Sequence, residues 1–189
     1  KYAREDRAKS WRSLISTTLL LLVAYAGALV NFHIIPQIVC SLLAGLLLVR
    51  LFIIYHDYLH HTVLQRSRVA RVFFTLFGMF ILAPVSIWKR SHDYHHEHNS
   101  KLYTASIGSF PLVTKQDFLK AKKSERAIYL FTRHPLTIFF GYFTMFVFGM
   151  CLQSLIKNPK RHRDSLYALL FHAAIGATVW FFFGWQGFL

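Results

Sequence analysis

The chain has 189 residues, of which 54% are hydrophobic and 17% aromatic, including 19 Phe; this is too apolar for an ordinary soluble domain. Its formal net charge is +14. In a soluble chain that balance would point to nucleic acid, but here the basic residues flank long apolar runs, which marks cytoplasmic loops against anionic lipid and excludes a nucleic-acid partner.

Five apolar runs follow in chain order. Lys1, Arg4, Arg7, Lys9 and Arg12 precede the first, 14–32, and so place the N-terminus in the cytoplasm. The run is longer than a signal-peptide core and no small-residue cleavage site follows it. Because the chain starts at Lys1, residues before it are expected. Segment 31–37 has no Lys, Arg, Asp or Glu and contains Pro36, as suits a short outer turn. The second run, 38–55, returns to the cytoplasmic face, with Arg50 near enough to that end to snorkel. The third run, 72–88, contains Pro84, which breaks or kinks a helix, and has Arg71 before it and Lys89-Arg90 after it. It is expected to be interfacial or re-entrant. Segment 101–133 is then cytoplasmic, interrupted by Gly108 and Pro111. Runs 136–156 and 166–185 form a second hairpin, each near the roughly 20 residues that a helix needs to cross the hydrocarbon core. Its linker, 157–164, is strongly basic yet expected on the outer face, against the positive-inside bias. Cys40 and Cys151 lie inside apolar runs and read as packing residues. The expectation is one all-α integral membrane domain over 1–189. It has about four transmembrane helices in two hairpins (14–32, 38–55, 136–156, 166–185), plus an interfacial or re-entrant segment at 72–88.

Chemistry concentrates in two clusters, His56-Asp57-Tyr58-Leu59-His60-His61 and His92-Asp93-Tyr94-His95-His96, which hold six of the eleven histidines. On a helix, His56 and His60 share a face, with His61 turned about 100° from His60. His92, His95 and His96 share a face likewise. Imidazole suits iron, zinc, copper and nickel, and six ligands exceed the needs of one tetrahedral zinc. The pattern points to a metal centre with more than one ion, provided that both clusters lie on one side of the membrane.

HDYLHH (56–61) and WKRSHDYHHEHN (88–99) resemble the first two histidine boxes, H-x-x-x-H-H and H-x-x-H-H, of the membrane fatty acid desaturases. The Trp-Lys-x-Ser lead-in and Asn99 are similar to the acyl-lipid, omega-6/omega-3 branch, and the resemblance covers nearly the whole chain. It implies a non-haem di-iron centre, O2 as co-substrate and removal of two hydrogens from an acyl chain. The iron ligands it implies are His56, His60, His61, His92, His95 and His96. It also implies membrane-lipid acyl chains as substrate, and a ferredoxin or cytochrome b5 as electron donor, steered by the basic loops. The alternative is a related hydroxylase or ketolase acting on a carotenoid, alkane or sterol. Many of those lack the second adjacent histidine, so His61 argues for a desaturase. The family has a third box after the last hairpin. The chain ends at Leu189 before one, so a C-terminal truncation is expected, leaving 1–189 alone inactive and incompletely loaded with iron.

The remaining polar residues have two readings each. His98 lies off the box-two face, at the interface or behind the ligands. His172, mid-run, is either a ligand or a helix-packing hydrogen-bonder. His33, His134 and His162 read as loop or interface residues. Asp57, Asp93 and Glu97 either orient imidazoles through the second ring nitrogen or are solvated carboxylates.

Overall fold

The computed structural model describes residues 4–30, 33–98 and 112–185. Asn99, Gly108 and Pro111 lie outside the described residues. Among the described residues the chain is all-α, without strands. It divides into two compact units, one of residues Lys1–Phe77 with Ile175–Leu189, the other of Gly78–Ala174.

The first unit is built on a helical hairpin. Helix α1 (Arg7–Leu29) starts where the Asp6 carboxylate accepts the Lys9 N–H at 3.1 Å. Helix α2 (Ile34–Leu59) carries Pro36 in its first turn, where the missing N–H costs nothing. At 1.5 Å per residue, helices of 23 and 26 residues run about 35 and 39 Å, enough for a hydrocarbon core of about 30 Å. Leu14, Thr17, Leu21 and Ala24 make the buried stripe of α1, and Ala44, Leu51, Tyr55 and Leu59 that of α2. The opposite faces leave Val23 69% and Leu46 68% exposed, a surface that only lipid would cover cheaply. Gly27 faces Cys40 so closely that a Cβ would sit 2.6 Å from its Sγ. Helix α3 (Arg68–Phe80) adds Ala70, Phe74 and Phe77 to this core. The Phe74 ring stacks on Tyr58 at 4.5 Å, and Phe77 meets Tyr55 edge-on at 5.6 Å.

The third apolar run is not one helix. After α3 the chain breaks at 81–84 and resumes as α4 (Val85–Glu97), bent by 88°. Pro84 is the residue before α4, as its lack of an N–H requires. Buried Leu82 takes a left-handed φ of 55° there. In the second unit, short helices α5 (Lys115–Lys120), α6 (Lys123–Phe131) and α7 (Pro135–Phe139) lead to a π-helix, Tyr142–Leu152, continued by α8 (Gln153–Lys157). The expected span 136–156 is therefore divided. Its continuous part, Tyr142–Lys157, reaches about 24 Å even at the α-helical rise, short of the hydrocarbon core. The last helix, α9 (Arg163–Phe183), is long and apolar enough to cross. Among the described residues three helices meet that length and composition, α1, α2 and α9, or four if the bent α3–α4 pair counts as one span.

Candidate metal centre

Box one straddles a helix end. His56 lies in the last turn of α2, and the His60 N–H closes that turn on the His56 carbonyl at 3.0 Å. Their rings sit 4.4 Å apart, edge to face. Helical spacing thus brings this pair together as expected. His61 departs from the expectation of a continuing helix: α2 ends at Leu59, and His61 adopts φ 60°, the left-handed position that usually closes a helix. What holds it there is Gln65. Its Oε1 lies 2.9 Å from His61 Nδ1, while its Nε2 donates to the carbonyls of Tyr58 and Val63. An amide oxygen only accepts, so Nδ1 carries the proton and Nε2 becomes the lone-pair nitrogen of His61. Asp57 does the same for His56 across 3.2 Å. The loop behind, with Leu64 and Arg66 also at positive φ, is strapped by the N-terminal segment. Glu5 accepts the Leu64 N–H at 2.6 Å and Arg7 donates to the Gln65 carbonyl at 3.2 Å.

Box two lies wholly on α4. His92 and His96, one turn apart, approach to 3.0 Å between their Nε2 atoms. That is the spacing of neighbouring ligands on one ion about 2.1 Å from each nitrogen. The donor set therefore fits a metal that takes imidazole. His95 projects separately, its ring centroid 6.1 Å from His92 and 5.8 Å from His96. Trp88, buried one turn earlier, stacks on His92 at 4.5 Å and sets the ring plane. Asp93 pairs with Lys89 at 2.6 Å, so its carboxylate balances a lysine beside the box. His56 with His60 and His92 with His96 are the candidate ligand pairs among the described residues.

The other histidines separate by their partners. His98 stacks on Tyr94 at 3.9 Å and bonds to its carbonyl, apart from the His92–His96 pair. His33 precedes α2, and His134 caps α7 by accepting the Leu136 N–H. His172 is a packing residue. Its Nε2 donates to the Phe80 carbonyl, which only accepts, so its Nδ1 receives the Tyr142 hydroxyl at 3.1 Å. His162, read as a loop residue, is instead buried and bonded to Ser86 Oγ at 2.8 Å. Burial pushes its pKa down, Arg90 and Arg161 push the same way, and Asp164 opposes them. Gln65, Ser86 and Asp164 were not singled out from the sequence. The available signal for Asp164 is that it is the one acidic residue after Glu125, set in a basic linker.

The fatty acid desaturase family model matches residues 32–189. A fatty acid desaturase of Bacillus subtilis (strain 168) is 26% identical over 200 residues, covering 100% of this chain and 54% of that protein. The sn-1 oleoyl-lipid 12-desaturase of Anabaena variabilis is 27% identical over 100 residues, covering 52% of this chain and 28% of that protein. The chain thus spans about half the length of the first relative and less of the second. No solved structure matches. With two histidine boxes on helix ends and a family match over most of its length, the chain belongs to the fatty acid desaturase family.

Proposed function

We propose that the protein is an O2-dependent desaturase that inserts a double bond into the acyl chain of a membrane lipid. The observation that carries this reading is the His92–His96 pair, Nε2 to Nε2 at 3.0 Å, on the box helix of a desaturase-family chain. The proposed ligands are His56, His60, His61, His92, His95 and His96, and the metal they serve is two iron ions. When bound, iron supplies activation of O2 and the oxidising power to break two unactivated C–H bonds. In the balance, the acyl chain loses two electrons and two protons, the donor supplies two more electrons and solvent two more protons, and O2 becomes two waters.

The chain's own residues prepare this. Asp57 and Gln65 hold the Nδ1 protons of His56 and His61, so each ring offers Nε2. The apolar faces of α1, α2 and α9 match an acyl chain delivered within the bilayer. The 12-desaturase among the relatives acts on an oleoyl lipid, which favours an esterified acyl chain here. Arg66, Arg68, Arg71, Lys89 and Arg90 flank the boxes and suit a cytoplasmic face turned to an acidic electron donor such as ferredoxin or cytochrome b5.

Expression of the complete gene product in a host membrane that supplies reductant, with mass spectrometry of the fatty acids, tests the reading. A new double bond is expected. Hydroxylated or keto products would instead assign the related hydroxylase or ketolase chemistry. An unchanged lipid profile, with the protein present in the membrane, overturns the proposal.

A further inference from the structure

The break at 81–84 frees backbone groups that water would satisfy on a surface but that apolar surroundings leave costly. Side chains from α9 and its leading linker meet them on both sides. At the end of α3, the Phe80 carbonyl accepts from His172, whose ring is itself held by the Tyr142 hydroxyl. At the start of α4, the Ser86 N–H donates to Asp164 Oδ2 at 2.9 Å and the Ser86 hydroxyl to Asp164 Oδ1 at 2.5 Å. With that hydroxyl proton committed, Ser86 Oγ accepts from His162 Nδ1 at 2.8 Å. Between the two ends, Leu82 sits in a buried cluster with Cys151 and Ala168, and its carbonyl receives the Cys151 thiol at 3.6 Å. Its left-handed backbone is the kind of strain that persists only where the surroundings over-determine it.

We propose that Ser86, His162, Asp164 and His172 form a clamp that holds the 81–84 break and thereby fixes the direction in which α4 presents His92, His95 and His96. They are positioning residues. Asp164 acts as a helix cap supplied from 78 residues away, a carboxylate at the N-terminal end of α4 where the helix dipole favours one. The clamp stands on these contacts, whereas its consequence for the metal rests on the reading of box two as a ligand set.

The test uses the complete gene product with Ser86→Ala, Asp164→Ala and Ser86→Thr. Hydrogen exchange is read on peptides from 85–97 and from α2, alongside iron per chain, kcat and KM. Loss of one charge-assisted cap bond predicts about tenfold faster exchange in the first turn of α4. The α2 peptide stays unchanged. Ser86→Thr, which keeps the hydroxyl, restores protection, and the Ser86→Ala/Asp164→Ala double variant is no worse than the worse single one. Iron per chain and kcat fall with KM unchanged. Should Asp164→Ala not accumulate in the membrane, Ser86→Ala decides alone. Unchanged exchange in 85–97 overturns the clamp, as does a rise shared equally by α2. Exchange as expected, in a wild-type protein that holds no iron and makes no double bonds, would overturn the metal-centre reading and leave the clamp standing.

Discussion

A histidine becomes a directed ligand when its second nitrogen is spoken for. Asp57 meets Nδ1 of His56 and Gln65 meets Nδ1 of His61, the contacts that the proposed ligand role calls for. The carboxylate role was one of two open readings of Asp57, whereas Gln65 is an ordinary residue in the sequence until the left-handed turn at His61 brings its amide around. Under the proposed function, neither Ala nor Gln can replace a box imidazole, because neither offers that lone pair. His60→Ala and His95→Ala should each abolish double-bond formation in cells. Retention of more than about a tenth of wild-type activity, a barrier change under about 1.4 kcal/mol, would remove that residue from the ligand set. His162 makes a different prediction. Its folded pKa is depressed by burial, with Arg90 and Arg161 adding and Asp164 opposing. The neutral ring is therefore favoured in the folded state, so its contribution is full above the unfolded value of about 6.5 and is lost as pH falls through the folded value. Detergent-solubilised wild type should lose thermal stability on acidification below about pH 6.5 more steeply than His162→Asn. Parallel profiles would show that His162 does not carry that dependence.

Among the elements, the first hairpin depends on one close approach. A Cβ on Gly27 would press Cys40 at 2.6 Å, so Gly27→Ala should cost about 1 kcal/mol or more by overpacking and lower the melting temperature. Adding Cys40→Ala should recover most of the loss, and additive losses would contradict the contact. The linker 157–164 carries a larger consequence. The sequence reading sets it on the outer face despite its charge. Asp164 and His162 instead bond Ser86, and six residues of helix from Ser86 to His92 span only about 9 Å, against about 30 Å of hydrocarbon. Lys160 is thus expected on the same side as box two, which also removes the conflict with the positive-inside bias. Single cysteines at Ser67, Glu97 and Lys160 should label from the same, cytoplasmic side. Labelling of Glu97 and Lys160 from opposite sides would exclude it.

For the whole molecule, the exposed apolar faces of α1, α2 and α9 suit lipid, and under the proposed function the chemistry is that of a redox metal. Zinc takes the same imidazoles but has no redox chemistry. Membranes stripped with a strong iron chelator should lose desaturation and regain it with ferrous iron and reductant, but not with zinc. Recovery with zinc would mean that the bound metal has no redox role.

Composition and pattern alone determined the class. Apolar runs near the length of a bilayer core require helices there, and the density of His56, His60, His61, His92, His95 and His96 marks them as candidate ligands. Pro84 marked the break in the third run, since beyond the first turn a residue without an N–H breaks or kinks a helix. These signals are local: each depends on a residue's own chemistry and its neighbours within a turn or two. The tertiary structure decided what no local pattern carries. The end of α2 at Leu59 turns His61 out of the helix, the run 136–156 divides around a π-helix, and Asp164 and His172 reach back 78 and 92 residues to the two ends of the break. Such contacts depend on which free backbone groups and which side chains the packing of α9 brings together, and a short polar side chain reads the same in sequence whether it meets water or a buried helix end.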